Sequence, residues 1–452
     1  MENITVSEIL EATGGTLLCG DKATQIFDLC INSKEAKEGD LFIPIIGERV
    51  DAHKFIENAL EKASATLTME HKEKNDEKPW IYVEDTHKAL QDIGTYYRKK
   101  MNAKVIAVTG SVGKTTTREM ITTVLSAKYQ TFSTKGNQNS QIGVPLTLAA
   151  MTKEDEMAVL ELGMSEPGQI HTLTTMVKPN IAVVTCIGVA HIEQMKTQEN
   201  IRKEKLSIID GFDNDGIIFL NGDDNLLSTQ KGILPCKTFT YGTSSECDYY
   251  ATNIEMKEGC TYYDFHYDKK VEQIKLNVLG IHNVLNSVVA LAIAYQENIP
   301  IEEAKKTFLE FSGLRQKIYY EKPYTVIDDT YNASPDSMKA SLGVLSDLPG
   351  ESRKIAVLAD MLELGENTNQ FHEEVGAFVG EKKVDILVTI GPLSKWIEQG
   401  AKTKNPNLEV FHFEDNKEAT NWLKKELKEK DTVLLKGSNG MKLSEIVKEL
   451  LQ

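Results

Sequence analysis

The stretch Lys104-Val-Ile-Ala-Val-Thr-Gly-Ser-Val-Gly-Lys-Thr-Thr-Thr117 is the most constrained piece of this sequence. An apolar, β-branched segment runs into a glycine turn, a lysine and three threonines, and a helix-compatible sequence follows. That order builds a phosphate cradle. Backbone N–H groups from Gly110 through Ser111 and Val112 to Gly113 point at anionic oxygens with the helix N-terminus behind them, and Lys114 adds a point charge. The hydroxyl of Thr115 is placed for a Mg²⁺ bridging the phosphates, with Thr116 beside it. A Cβ at the glycines would block close backbone approach. The spacing is short: G-x-x-x-x-G-K-[ST] wants glycine at 108, where this chain has Val108. The Thr-Gly-x-x-Gly-Lys-Thr form still signals nucleotide binding in a strand-to-helix setting.

Bulk properties narrow the rest. A chain of 452 residues exceeds one ordinary core, and two to four domains are expected at roughly 100–200 residues each. No apolar run approaches the roughly 18–20 residues that span a bilayer, and alanine-rich Val288–Tyr295 reads as a buried helix. The opening Met-Glu-Asn-Ile has no basic or apolar leader region, so no signal peptide is expected. Fifty-one basic against 67 acidic residues give a net charge of −16, which repels nucleic acid and anionic lipid and makes the phosphate site a local basic feature. The cysteines (Cys19, Cys30, Cys186, Cys236, Cys247, Cys260) contain no C-x-x-C pair and read as reduced and structural. A cytoplasmic monomer without nucleic-acid partner or integral membrane segment is expected.

Around the cradle the texture of the chain changes. Residues 1 to about 102 mix short strands and turns, with His71–Lys78 as a surface loop. From 104 to about 312, apolar strands alternate with helical patterns: Val105–Thr109, Met157–Leu162, Ile181–Ile187 and Ile217–Asn221 are continuous rather than alternating, as in strands buried on both faces. A second such series follows Ser312-Gly313, with Tyr324–Ile327, Lys354–Leu358, Ile386–Ile390 and Thr432–Leu435 separated by helices, 369–380 and 415–429 among them. The fold class is α/β: two doubly wound units preceded by a smaller domain.

Ligands of such sheets bind beyond the carboxyl ends of the strands. Glu161 stands at one such end and could hold Mg²⁺ or simply cap a helix. His191 follows another, as ligand or as structural histidine. Asn283 and Asn286 share one face of a helix start and could bracket an adenine edge or cap the helix. Asp328 and Asp329 at a third strand end could serve a ribose, a metal, a lysine or a turn. Arg315 is a candidate phosphate or carboxylate clamp. Leu435-Lys-Gly-Ser-Asn-Gly440 offers a lysine and small residues at the last strand's end. Lys205, on a charged helical stretch, would not be singled out by composition.

These motifs, in this order and over nearly the whole chain, resemble the Mur ligase family, the ATP-dependent amide-bond formers of peptidoglycan precursor synthesis. Gly136-Asn-Gln-Asn-Ser-Gln-Ile-Gly-Val-Pro-Leu-Thr147, Ile327-Asp-Asp-Thr-Tyr-Asn-Ala-Ser-Pro-Asp-Ser-Met338, Asp360-Met-Leu-Glu-Leu-Gly365 with His372, and Lys436-Gly-Ser-Asn-Gly440 resemble the branch that adds D-alanyl-D-alanine to a UDP-N-acetylmuramoyl-tripeptide. The Asp-Asn/Asp-Pro-Arg segment of the diaminopimelate- or lysine-adding branch is absent from the sequence. Lys34 stands where that branch usually has arginine, Ala52 for a glycine, Ser140 for an asparagine and Asn439 for an arginine.

The resemblance implies three domains: a small mixed α/β domain binding the UDP substrate (1–102), a central P-loop domain with a doubly wound, mostly parallel sheet binding ATP (103–312), and a C-terminal Rossmann-like α/β domain (313–452). It also implies roles. Lys114 and Thr115 would meet ATP phosphates and Mg²⁺, and Glu161 and His191 a second Mg²⁺. Lys205 falls where the family carries a carbamoylated lysine, with Lys203 next in register. Asn283 and Asn286 would face adenine, and Arg315 and Asp329 would reach ATP from the third domain. Ser33, Lys34, Asp40, Phe42, Gly47, Asp51 and His53 would hold the UDP group, with Asn137, Asn139, Tyr331 and Asn332 as further substrate contacts. A related ligase with another amine acceptor and a P-loop small-molecule kinase are the alternative readings.

Overall fold

The computed structural model describes residues 1–452 except 3, 73, 75, 214, 321, 322 and 349–352. Three larger sheets each draw their strands from one contiguous stretch of chain, namely 16–82, 104–276 and 317–436. The first runs Thr16–Cys19, Trp80–Tyr82, Ala65–Thr68, Asp40–Phe42, Asp28–Cys30, antiparallel only at its first pair. Its helix Thr86–Arg98 packs toward the second stretch, so both share one apolar cluster: Ile4, Leu41, Leu67 and Tyr97 sit with Val105, Leu148 and Leu160. The hydroxyl of Tyr97 donates to the Met151 carbonyl (2.8 Å), which satisfies the polar end of a fully buried ring. A buried side chain of this size contributes about 1.5–3 kcal/mol by leaving water.

The second sheet has nine strands. From Thr131–Ser133 through Met157–Glu161, Lys104–Thr109, Ile181–Val184, Ile217–Asn221 and Lys237–Gly242 to Tyr249–Lys257 it is parallel, and Cys260–Tyr267 and Lys270–Leu276 close it as an antiparallel meander. Lys104–Thr109 lies between Met157–Glu161 and Ile181–Val184. The strands that follow it in sequence therefore leave toward opposite edges, and the phosphate loop sits at this switch point. The expected strand Ile181–Ile187 is corrected here: it ends at Val184, because the next residues turn toward the phosphate loop, with the Ser111 amide bonding the Cys186 carbonyl at 3.0 Å. The helix Ile281–Gln296 contains the expected buried segment.

In the third sheet the order is Lys317–Tyr319, Thr325–Asp328, Thr432–Lys436, Lys354–Ala359, Ile386–Ile390, Glu409–Phe413, parallel apart from the first pair. The last strand of the chain is inserted centrally, which brings Lys436 beside Asp329 across 107 residues of sequence. Among the described residues all six cysteines are free, and no helix is long and apolar enough to cross a membrane.

Candidate active site

The carboxyl ends of the second and third sheets face one cleft of about 580 Å³. Its central wall carries Ser111, Val112, Gly113, Lys114, Thr115, Thr116, Glu161, His191, Asn283 and Asn286. Its C-terminal wall carries Arg315, Asp329, Tyr331 and Asn332, and Asn137 and Asn139 also line it. Of the residues expected at ATP and metal, two are not on its surface: Gly110, which is buried beneath the loop, and Lys205.

Local geometry explains the loop. Gly113 (φ +87) opens the helix Lys114–Leu125 in a left-handed conformation that a Cβ would strain, and a Cβ on Gly110 would meet Thr185 Oγ1 at 1.8 Å. The Lys114 ammonium donates to the Gly110 carbonyl at 2.8 Å. Glu161, 2% exposed at its strand end, is held on both oxygens: Asn139 Nδ2 donates to Oε1 (2.7 Å), while Thr115 Oγ1 (3.0 Å) and Arg118 (3.2 Å) donate to Oε2. Arg118 also pairs with Glu119. Sequence reasoning missed Arg118, although it lies four residues after Lys114 and so on the same helical face.

Thr115 and Glu161 set two oxygen donors side by side, which fits a Mg²⁺ that takes its other ligands from phosphates and water. The described residues contain no group of three or more His, Cys, Asp or Glu able to cage a metal without such help. His191 has positive φ (62°) and an Nδ1 lying 3.3 Å from Glu363 of the C-terminal wall. Burial lowers its pKa against the pull of Glu363, and Lys114 and Lys205 lower it further, which favours the neutral imidazole that can ligate a metal. Of the two candidate lysines, Lys203 is exposed and Lys205 only 2% exposed. Thr197 caps their helix Gln198–Leu206, and Glu204 anchors it by accepting the amides of Gly168 and Ile170, both at 2.8 Å. Burial, with the Lys114 charge adding to it, pulls the Lys205 pKa down to about 7.

At the far end of the cleft, Asn283 Nδ2 donates to the Leu279 carbonyl (2.8 Å) and Asn286 Oδ1 accepts from Thr117 (2.9 Å), so both are oriented from within. His282 Nδ1 and Gln316 Nε2, unforeseen from the sequence, are buried without a hydrogen-bond partner among the described residues, which suits a planar ligand with its own donors and acceptors. Across the cleft Lys436 reaches Asp329 at 2.6 Å, so of the roles open to that carboxylate the structure fills the lysine pairing. The Arg315 guanidinium stacks on the Tyr331 ring.

The expected UDP contacts of the first domain lie apart, and none lines this cleft. Lys34, Gly47 and Asp51 are exposed, Ser33 and His53 half-buried, and Asp51 caps the short helix Ala52–Phe55 while pairing with His53 at 2.7 Å. Phe42 is fully buried in an apolar cluster with Ile56 and Trp80, and the buried Asp40 carboxylate accepts the Lys37 amide (2.8 Å), so both side chains contribute to the domain's own packing.

A phosphate loop facing a second α/β layer across one cleft defines a nucleotide-dependent enzyme, and this chain belongs to the Mur ligase family. It matches the Mur ligase middle domain over residues 108–294 and the Mur ligase glutamate ligase domain over residues 315–439. Over 99% of its length it is 37% identical to the UDP-N-acetylmuramoyl-tripeptide–D-alanyl-D-alanine ligase of Bacillus subtilis, covering 98% of that protein. Among solved structures it is similar to MurF from Acinetobacter baumannii (TM-score 0.92, 29% identity, 100% and 99% of the two chains). It is also similar to MurF from Thermotoga maritima in complex with ADP (TM-score 0.84, 28% identity, 93% and 96%).

Proposed function

We infer that this chain is an ADP-forming, ATP-dependent ligase that joins D-alanyl-D-alanine to a UDP-N-acetylmuramoyl-tripeptide in cytoplasmic peptidoglycan precursor synthesis. The observation that carries the reading is the shared cleft, lined at once by the phosphate loop and by the strand ends that bear Asp329 and Lys436. Full-length likeness to ligases named for this reaction supports the substrates, and the ADP-bound relative supports the nucleotide.

A carboxylate oxygen of the tripeptide attacks the γ-phosphorus, and the bond to the leaving ADP breaks. The amine of D-alanyl-D-alanine, having lost a proton, then attacks the acyl carbon, and phosphate leaves with one former carboxylate oxygen. The physical difficulty is that a carboxylate must approach a triphosphate. Lys114 would move from the Gly110 carbonyl to the phosphates, and Arg315 would add charge from the C-terminal wall. Thr115 and Glu161 would hold one Mg²⁺, and Glu161, His191 and a carbamate on Lys205 a second. Bound Mg²⁺ supplies charge neutralisation at the phosphates. A lysine with a pKa near 7 presents the free amine that CO₂ requires, which supports the carbamate. Asn283 and Asn286 would face adenine with Asp329 on the opposite wall. Asn137, Asn139, Tyr331 and Asn332 would meet the peptide and the acceptor. Ser33, Lys34, Gly47, Asp51 and His53 would hold the uridine end. Domains 1–102, 103–312 and 313–452 and a monomeric enzyme complete the proposal.

Phosphate release measured with UDP-muramoyl peptides against a panel of amino acids and dipeptides tests it. Turnover should need ATP, the tripeptide and an amine, and be fastest with D-alanyl-D-alanine. A stable phosphorylated product formed without amine would place the chain with kinases instead.

A further inference from the structure

The segment 185–191 touches both walls of the cleft. On the central side the Gly188 amide donates to Ser111 Oγ at 2.9 Å, lacing the segment to the phosphate loop. On the other side the Val189 side chain, 8% exposed, sits among Ile327, Ala333 and Met338 of the C-terminal apolar cluster. His191 follows and meets Glu363. The tightest approach is at Gly188, where a Cβ would lie 2.1 Å from a carboxylate oxygen of Asp336. Asp336 stands in the first turn of the helix Pro335–Asp347, which Ser334 caps with a reciprocal Ser337 bond. Burial raises its pKa, while Lys339 and the Val189 amide favour its charged form.

Burying a carboxylate against a neighbouring domain's backbone, with Asp224 as a like charge nearby, costs desolvation that Lys339 and the local amides repay only in part. The arrangement therefore yields placement more than stability. Gly188 has no positive φ, so glycine is needed there for space and not for conformation.

We propose that Asp336 is a positioning residue: seated on the Gly188–Val189 backbone, it ties closure of the C-terminal layer to the placement of His191 and the phosphate loop. The inference rests on the ligase reading for its consequence in turnover, but its contact can be tested without turnover. Gly188→Ala should push the layers apart through the clash with Asp336. Asp336→Ala should remove the tie, and the double variant should give the new methyl room. Asp336→Asn, which keeps the shape and an acceptor for Val189, should retain most function.

Small-angle scattering of the nucleotide-free proteins and calorimetric ADP–Mg²⁺ binding give the direct readout. Gly188→Ala should be more expanded and bind about fivefold or more weakly, and the double variant should recover compactness and part of the affinity. In turnover, Asp336→Ala should lower kcat and raise the Mg²⁺ needed for half-maximal rate, with KM for the UDP substrate unchanged. A Gly188→Ala protein as compact and as tight-binding as the parent, or a double variant no better than Gly188→Ala alone, would overturn the proposal. If the parent lacked ligase turnover while the scattering and binding pattern held, the ligase reading would fail and the tie would stand.

Discussion

The two walls of the cleft are built differently. On the central wall two buried polar side chains are already bound to their neighbours: Glu161 is fixed by Thr115, Arg118 and Asn139, and Asn286 by Thr117. On the C-terminal wall Lys436 pairs with Asp329 and donates to the Asn332 carbonyl at 3.0 Å, but Tyr331 is 46% and Leu362 43% exposed. Donors held in place before the reaction cost no reorganisation during it, whereas an exposed wall gains its contacts only on closure. On the proposed roles, the difference teaches that the metal and nucleotide side of the cleft is preorganised and the acceptor side is assembled on closure.

Substitutions on the two walls should then fall on different scales. Lys114→Ala removes the sole lysine of the phosphate loop and should lower kcat/KM by about 10³-fold or more in a phosphate-release assay. Next comes Lys205→Ala, expected to lower kcat by about 10²-fold, with partial recovery in added bicarbonate or chloride if a carbamate is what was lost. Its titration also gives a stability test. The folded pKa of about 7 lies below the unfolded value, so across the window from there to about 10.4 the unfolded chain binds more protons at this site. The lysine's contribution to stability thus rises with pH through that window and is least favourable below it. Lys205→Met should melt above the parent near pH 6, and the gap should close on going alkaline.

Glu161→Gln leaves the buried Arg118 with only Glu119 as counter-charge and should cost up to about 3 kcal/mol in urea unfolding, besides raising the Mg²⁺ requirement. The smallest effect belongs to the assembled wall. Arg315→Lys loses the planar stack on Tyr331 but keeps the charge, and should reduce kcat/KM for ATP about tenfold, or about 1.4 kcal/mol. An Arg315→Lys loss as large as that of Lys114→Ala would break the distinction between the walls.

The sequence was most legible where burial is uniform. Ile217–Asn221 and Ile386–Ile390 are strands with the bounds their continuous apolar runs predict. The meander Tyr249–Leu276 gave no such signal, because its strands alternate exposed and buried residues at the open end of the sheet. Glu409–Phe413, an edge strand, was missed because none of its residues is fully buried and no continuous apolar run marks it. In the site, the phosphate loop and the strand-end carboxylates follow from local pattern. Lys205 and Lys203 look alike in sequence, and only the packing of their helix buries one and exposes the other. Phe42 shows the converse: a motif residue whose side chain the fold turned inward.

The central claim is that the tripeptide carboxylate is itself phosphorylated. Turnover of tripeptide labelled with ¹⁸O in its terminal carboxylate, followed by mass analysis of the phosphate released, tests this most directly. One labelled oxygen should appear in each phosphate formed together with the D-alanyl-D-alanine amide. Unlabelled phosphate accompanying the same product would contradict the account.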